Sequence, residues 1–167
     1  MEQFSMGRGR IAVFLLPALF LAVTGCASGL PGGAGRVVVE ESRIPLEANG
    51  PKEGAYAAHD FLLAYGYIRD GRSLQLSGAA ELRGGVRNFP WLNRLFVRAF
   101  FYDADGRVLD SRSLLVRSRG EVENRWTFAK TLELPPGTEG MAFGYSGQVH
   151  GAGFDAPIWD FWNAPYR

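Results

Sequence analysis

From about residue 37 onward, apolar and polar positions alternate with a period of two, the repeat of half-buried strands. Val37-Val38-Val39 opens the first such run. In "DFLLAYGYIRDGRSLQLSGAAEL" the pair Asp70-Gly71 is a two-residue hairpin signal, because both central positions of a type I′ turn require positive φ. Pairing Arg69 with Arg72 then sets Tyr67 against Leu74, Tyr65 against Leu76 and Leu63 against Gly78, all on one face. A short helical turn at the start of the stretch Tyr56 to Leu63 is the second reading there.

A second hairpin is predicted in "NRLFVRAFFYDADGRVLDSRSLLVRS", where Leu95, Val97, Ala99 and Phe101 alternate toward one face. A three-residue turn, Ala104-Asp105-Gly106 with glycine left-handed, brings Leu109 and Leu115 to that same face. Strands over Trp126 to Leu134 and Met141 to Val149 follow, joined by the turn-rich "PPGTEG". Six or seven strands punctuated by glycine and proline predict an all-β fold, an immunoglobulin-like antiparallel β-sandwich. No internal repeat or second linker divides the region 37–167.

The first residues read differently. Arg8 and Arg10 precede an uncharged apolar run, Ile11 to Val23, that contains Pro17. The run is short of the about 20 apolar residues a membrane helix needs, but it suits the core of a signal peptide. Val23-Thr24-Gly25-Cys26 resembles the lipobox of bacterial lipoproteins, an aliphatic residue and two small ones before a cysteine. That resemblance implies cleavage after Gly25, a diacylglycerol on the Cys26 sulfur and acylation of the new amino group. Cys26 is the single cysteine, so an exported domain would be stable without an internal disulfide.

The chain is thus expected to divide into a signal peptide at 1–25, a lipidated glycine-rich tether at 26–36 and a β-sandwich at 37–167. Membrane attachment is expected through the lipid, with no span. In a cell with two membranes, Ala27 after the cysteine implies sorting to the outer membrane, facing the periplasm, since aspartate there marks inner-membrane retention in lipoproteins it resembles.

Removing 1–25 leaves 142 residues and takes lysine plus arginine from 18 to 16 and aspartate plus glutamate from 17 to 16. This neutral chain has enough length for one core and no basic stripe to track a phosphate backbone, so nucleic acid is not an expected partner.

At "AFFYDADGRVLDS" the globular part resembles FxLYD-type immunoglobulin-like domains of exported proteins. The shared features are Tyr102-Asp103, then Gly106 and an aliphatic strand; Ala99 and Phe101 depart from the family's phenylalanine and leucine. The resemblance implies a fold and brings no catalytic residues.

Candidate chemistry is sparse. Aligning Gly106 with the glycine of a calcium loop puts Phe101 and Arg112 where carboxylates are needed. Gly144-Tyr145-Ser146-Gly147 falls one residue short of a nucleophile elbow and reads better as a glycine-rich strand. His59 and His150 are the only histidines, and no metal spacing surrounds them. His59 and Asp60, as neighbours on a strand, are expected to point apart. No catalytic residue, metal or cofactor is therefore expected.

The unusual segment is "GFDAPIWDFWNAPYR", where Phe154, Trp159, Phe161, Trp162 and Tyr166 crowd together. Trp159, Phe161, Trp162 and Tyr166 are candidates for an aromatic platform; the plainer alternative is a tail that plugs an open edge of the sandwich. The chain is expected to be a noncatalytic, lipid-anchored interaction or structural module of the bacterial envelope with an envelope protein partner. The alternative is a lipoprotein that holds envelope glycan or a small apolar molecule on those rings.

Overall fold

The computed structural model describes residues 32–153 and 155–167; Cys26 and the expected signal peptide lie outside them, as does Phe154. Two antiparallel sheets pack face to face as an all-β sandwich. One sheet joins β2 (Lys52–Ala57), β3 (Phe61–Asp70), β4 (Ser73–Leu82) and β7 (Trp126–Glu133) in the order β2-β3-β4-β7. The other runs β1-β8-β5-β6, made of β1 (Ile44–Pro45), β8 (Gly140–His150), β5 (Trp91–Tyr102) and β6 (Val108–Glu121). The last strand, β9 (Ile158–Asn163), pairs with the C-terminal part of β8, on the edge that β1 occupies further back. The chain crosses between sheets after β1, β4, β6 and β7, while β2-β3, β3-β4, β5-β6 and β8-β9 are consecutive antiparallel pairs inside single sheets.

Alternation along each strand builds the core. Phe61, Leu63 and Tyr67 of β3 and Leu74, Leu76, Ala80 and Leu82 of β4 meet Leu95, Val97, Ala99 and Phe101 of β5 and Met141, Phe143, Tyr145 and Val149 of β8. Phe61 stacks on Tyr145 at 4.5 Å, and Tyr65 tilts onto Phe143 at 4.9 Å, contacts that join the sheets.

The first hairpin forms with its faces as expected but its register moved by two. Asp70 pairs with Ser73, Tyr67 with Leu76, Tyr65 with Gly78 and Leu63 with Ala80. The loop is Gly71-Arg72, and only Gly71 has positive φ, at 55°. That is the requirement of a type II′ turn, glycine at the first central position, whereas type I′ needs both. An even shift leaves every side chain on its face.

In the second hairpin Asp103 N–H donates to Arg107 C=O at 3.0 Å, closing the expected Ala104-Asp105-Gly106 loop with Gly106 at φ 79°. Asp103 Oδ1 accepts from the backbone N–H groups of Asp105 and Arg107, at 3.0 and 2.8 Å. Leu109 does not reach the core: a register shift between Phe101 and Tyr102 leaves it without a partner on β5, 37 % exposed. A second irregularity between Val97 and Arg98 restores the parity, and Leu115 is buried as expected.

Other expectations change as well. There are nine strands among the described residues. Tyr56 lies in β2, so no helical turn opens that stretch. Val37 to Val39 form no strand of their own but isolated bridges, Val37 with Arg107 and Val38 with Tyr166. Backbone contacts begin before residue 37: Gly35 N–H donates to Val108 C=O, and Val108 N–H to Arg36 C=O. Together with the C-terminal Pro165 to Arg167, this segment covers the outer face of the five-stranded sheet at one end. Val38, Phe100, Tyr102, Val108 and Ala142 form a second small core beneath it.

Candidate functional site

Strand alternation sorts the C-terminal aromatic residues onto different surfaces. Phe161 faces inward, 2 % exposed, opposite Gly147, where a Cβ would overlap its ring. Two residues on, Asn163 Nδ2 donates to the Tyr56 hydroxyl of the other sheet at 2.6 Å. Trp159 shares their side of the strand by parity, but it is 56 % exposed. Tyr166 is half-buried on the second core, edge-on to Phe100 at 5.3 Å with the Arg36 guanidinium 5.5 Å from its ring centre. Burial raises the Tyr166 hydroxyl above its ordinary pKa, against the opposing pull of Arg36 and Arg98. Of the four, only Trp162, 68 % exposed, projects into solvent from the outer face of the five-stranded sheet. The four rings therefore do not form one platform; two of them are packing groups.

The outer face carries a different constellation, because β8 and β5 bring distant residues beside β9. Reading across the strands, Ile158, His150 and Trp91 form one row. Asp160, Gln148 and Arg94 form the next, and Trp162, Ser146, Phe96 and Val116 the third. Ile158, Trp91, Trp162 and Val116 are 61, 40, 68 and 49 % exposed. Trp91 lies nearly parallel to His150, 6.4 Å between ring centres.

Between the aromatic rows the polar groups are held by one another. Asp160 Oδ1 accepts from Gln148 Nε2 at 2.9 Å and from Arg94 Nη2 at 3.3 Å, and Gln148 Oε1 accepts from Asn93 Nδ2 at 2.9 Å. A β5 irregularity between Leu92 and Arg94 inserts Asn93 and places it beside this row. An open cleft of about 430 Å³ lies at one end, lined by Trp91, Asn93, Arg119 and His150 among others. Sequence reasoning missed Trp91, Asn93, Arg94 and Gln148, which stand far from the aromatic tail and are joined to it only by register.

His59 and Asp60 are not on a strand but in the bend between β2 and β3, and their side chains meet at 2.7 Å, contrary to the expected divergence. The His59 side chain is 88 % exposed. Asp103, considered for calcium, spends one carboxylate oxygen on the hairpin turn. Gly144 to Gly147 lie within β8. Burial pushes the Tyr145 hydroxyl far above its ordinary pKa and that of Tyr56 upward, so both are neutral core groups near neutral pH. A second hollow of about 390 Å³, on the outer face of the four-stranded sheet, is lined by Lys52, Glu53, Gln75 and Lys130 among others, and its one aromatic ring, Tyr67, is buried.

No protein-family model matches the chain, and no curated protein or solved structure shows significant similarity to it.

Proposed function

We propose that this protein is a noncatalytic interaction module, lipid-anchored to the bacterial envelope through Cys26, that makes its contacts with the outer face of the five-stranded sheet. The observation that carries the contact face is the display of Trp91, Ile158 and Trp162 there, each at least 40 % exposed, around a fixed polar row. Large rings left in water on one surface are the mark of a surface that is covered when the protein works. The lipobox at Val23 to Cys26 supports the anchor, and Ala27 supports outer-membrane placement.

Two measurements test this reading. Cys26→Ala is expected to block lipidation and processing, read by mass, and to lose the wild-type distribution between membranes on a sucrose gradient. A photoreactive residue at position 162 is expected to give adducts in cells, while one at Ala64, on the outer face of the opposite sheet, gives few. Equal labelling at both positions removes the contact face, and an unmodified Cys26 in the wild-type chain removes the anchor.

A further inference from the structure

We propose that the outer face of the five-stranded sheet is a glycan-binding site and that its ligand is the glycan strand of the cell wall. The ligand class rests on the geometry of the face; the wall as its source rests on the envelope reading above.

A pyranose ring presents apolar C–H faces and a polar rim, so a site for a chain of them needs exposed rings and hydrogen-bonding groups at one level. Here Trp91 and Trp162 stand at opposite corners. They are separated by two strand spacings across the sheet and four residues along it, a diagonal of about 16 Å. That is the span of a short oligosaccharide. Midway between them lies the row of Arg94, Gln148 and Asp160, with Asn93 beside it.

The row is suited to neutral, amide-bearing sugars. Arg94 and Asp160 form an ion pair at 3.3 Å, so the row has no net charge to offer an acidic or basic ligand. Both side-chain bonds that Asp160 accepts, from Arg94 and Gln148, fall on Oδ1, which leaves Oδ2 as an acceptor for hydroxyls. Asn93 and Gln148 supply the amide groups that pair with an acetamido substituent. All four side chains are oriented before a ligand arrives, and this lowers the entropy lost on binding. The cleft beside Trp91 continues the surface past the polar row, so a chain can run through and need not end there. A lipid surface fits less well, since its apolar region would desolvate the Arg94–Asp160 pair.

The test uses the full chain purified from membranes in detergent, with the state of Cys26 read by mass on the same sample. It is mixed with purified cell-wall sacculi, with a soluble β-1,4-linked trimer of N-acetylglucosamine, and separately with phospholipid vesicles. The chain is expected to sediment with sacculi, and the trimer to shift its tryptophan emission. Trp91→Ala, Trp162→Ala and Asp160→Ala are each expected to weaken both by about tenfold, the loss of one well-used contact. Trp159→Ala, on the other side of β9, is expected to leave both unchanged, and circular dichroism checks that every variant is folded.

Absence of binding to both sacculi and trimer overturns the proposal, whatever Cys26 carries. Binding to the trimer without binding to sacculi overturns the wall as source and keeps the ligand class. Binding that survives all three substitutions, or vesicle binding that depends on Trp91 and Trp162, assigns the face elsewhere. An unmodified Cys26 with intact glycan binding removes the anchor alone.

Discussion

Two aromatic residues one position apart in β9 have opposite fates, set by which way a strand points them. Phe161 is 2 % exposed and rests over Gly147 in the core, while Trp162 is 68 % exposed on the outer face. Phe161→Ala is expected to cost about 3–5 kcal/mol, the penalty for emptying a buried aromatic position. Trp162→Ala is expected to change stability by less than about 0.5 kcal/mol. Chemical denaturation of both variants checks this, and similar losses at the two positions would contradict the orientation of β9. The sequence made the aromatic crowding of this segment plain, yet composition alone treats Trp159, Phe161, Trp162 and Tyr166 as one group. Dividing them requires knowing that residues 158–163 are a strand and which face of it is covered. The polar partners of Trp162 were less legible still. Arg94 and Gln148 reach Asp160 only through the β5-β8-β9 pairing, and no local pattern in the chain encodes that register.

At the level of elements, what the chain declares is the face of each strand; what it hides is register and bulges. Alternation placed Leu63, Tyr67, Leu74 and Leu76 inward correctly even though the β3-β4 turn lies elsewhere than Asp70-Gly71 suggests. The turn moved because a type II′ loop needs one left-handed residue where type I′ needs two, and Asp70 is spared that conformation. Gly71→Ala is accordingly expected to destabilise the protein by about 1–2 kcal/mol, since a Cβ at φ 55° is strained although the space around it is open. Asp70→Ala has no such conformational cost, so comparing the two melting temperatures locates the turn. The same logic explains Leu109. A bulge inserts one residue, and only a second bulge further along β6 returns Leu115 to the core. Neither bulge is marked by glycine or proline in β6, so periodicity read along that strand carries the wrong parity between them.

At the scale of the whole described region, the first and last segments close one end of the sandwich together. Val39 N–H donates to Pro165 C=O and Arg167 N–H to Val37 C=O, so the first and last described segments hold one another over Phe100, Tyr102 and Ala142. Glycines make this approach possible: a Cβ at Gly33 would overlap the Tyr166 ring, and one at Gly144 would crowd Pro165. An outer sheet face this apolar would otherwise be open to water. The arrangement couples chain entry to the tail, so disturbing one end is felt at the other. Deleting residues 164–167 is expected to cost about 3 kcal/mol or more, the worth of one to two large buried side chains. Hydrogen exchange gives the sharper readout, because local opening is measured amide by amide. With the tail removed, the Val38 and Val39 amides are expected to exchange much faster, while those of Val97 and Phe143, between paired strands of the main core, lose only what the global loss of stability dictates. Unchanged protection at Val38 would mean that its bond to Gly106 C=O suffices and that the tail only leans on a surface already closed. Arg167→Ala keeps the backbone bond to Val37 and is expected to leave both regions as they are, which separates the cover given by Pro165 and Tyr166 from the terminal charge.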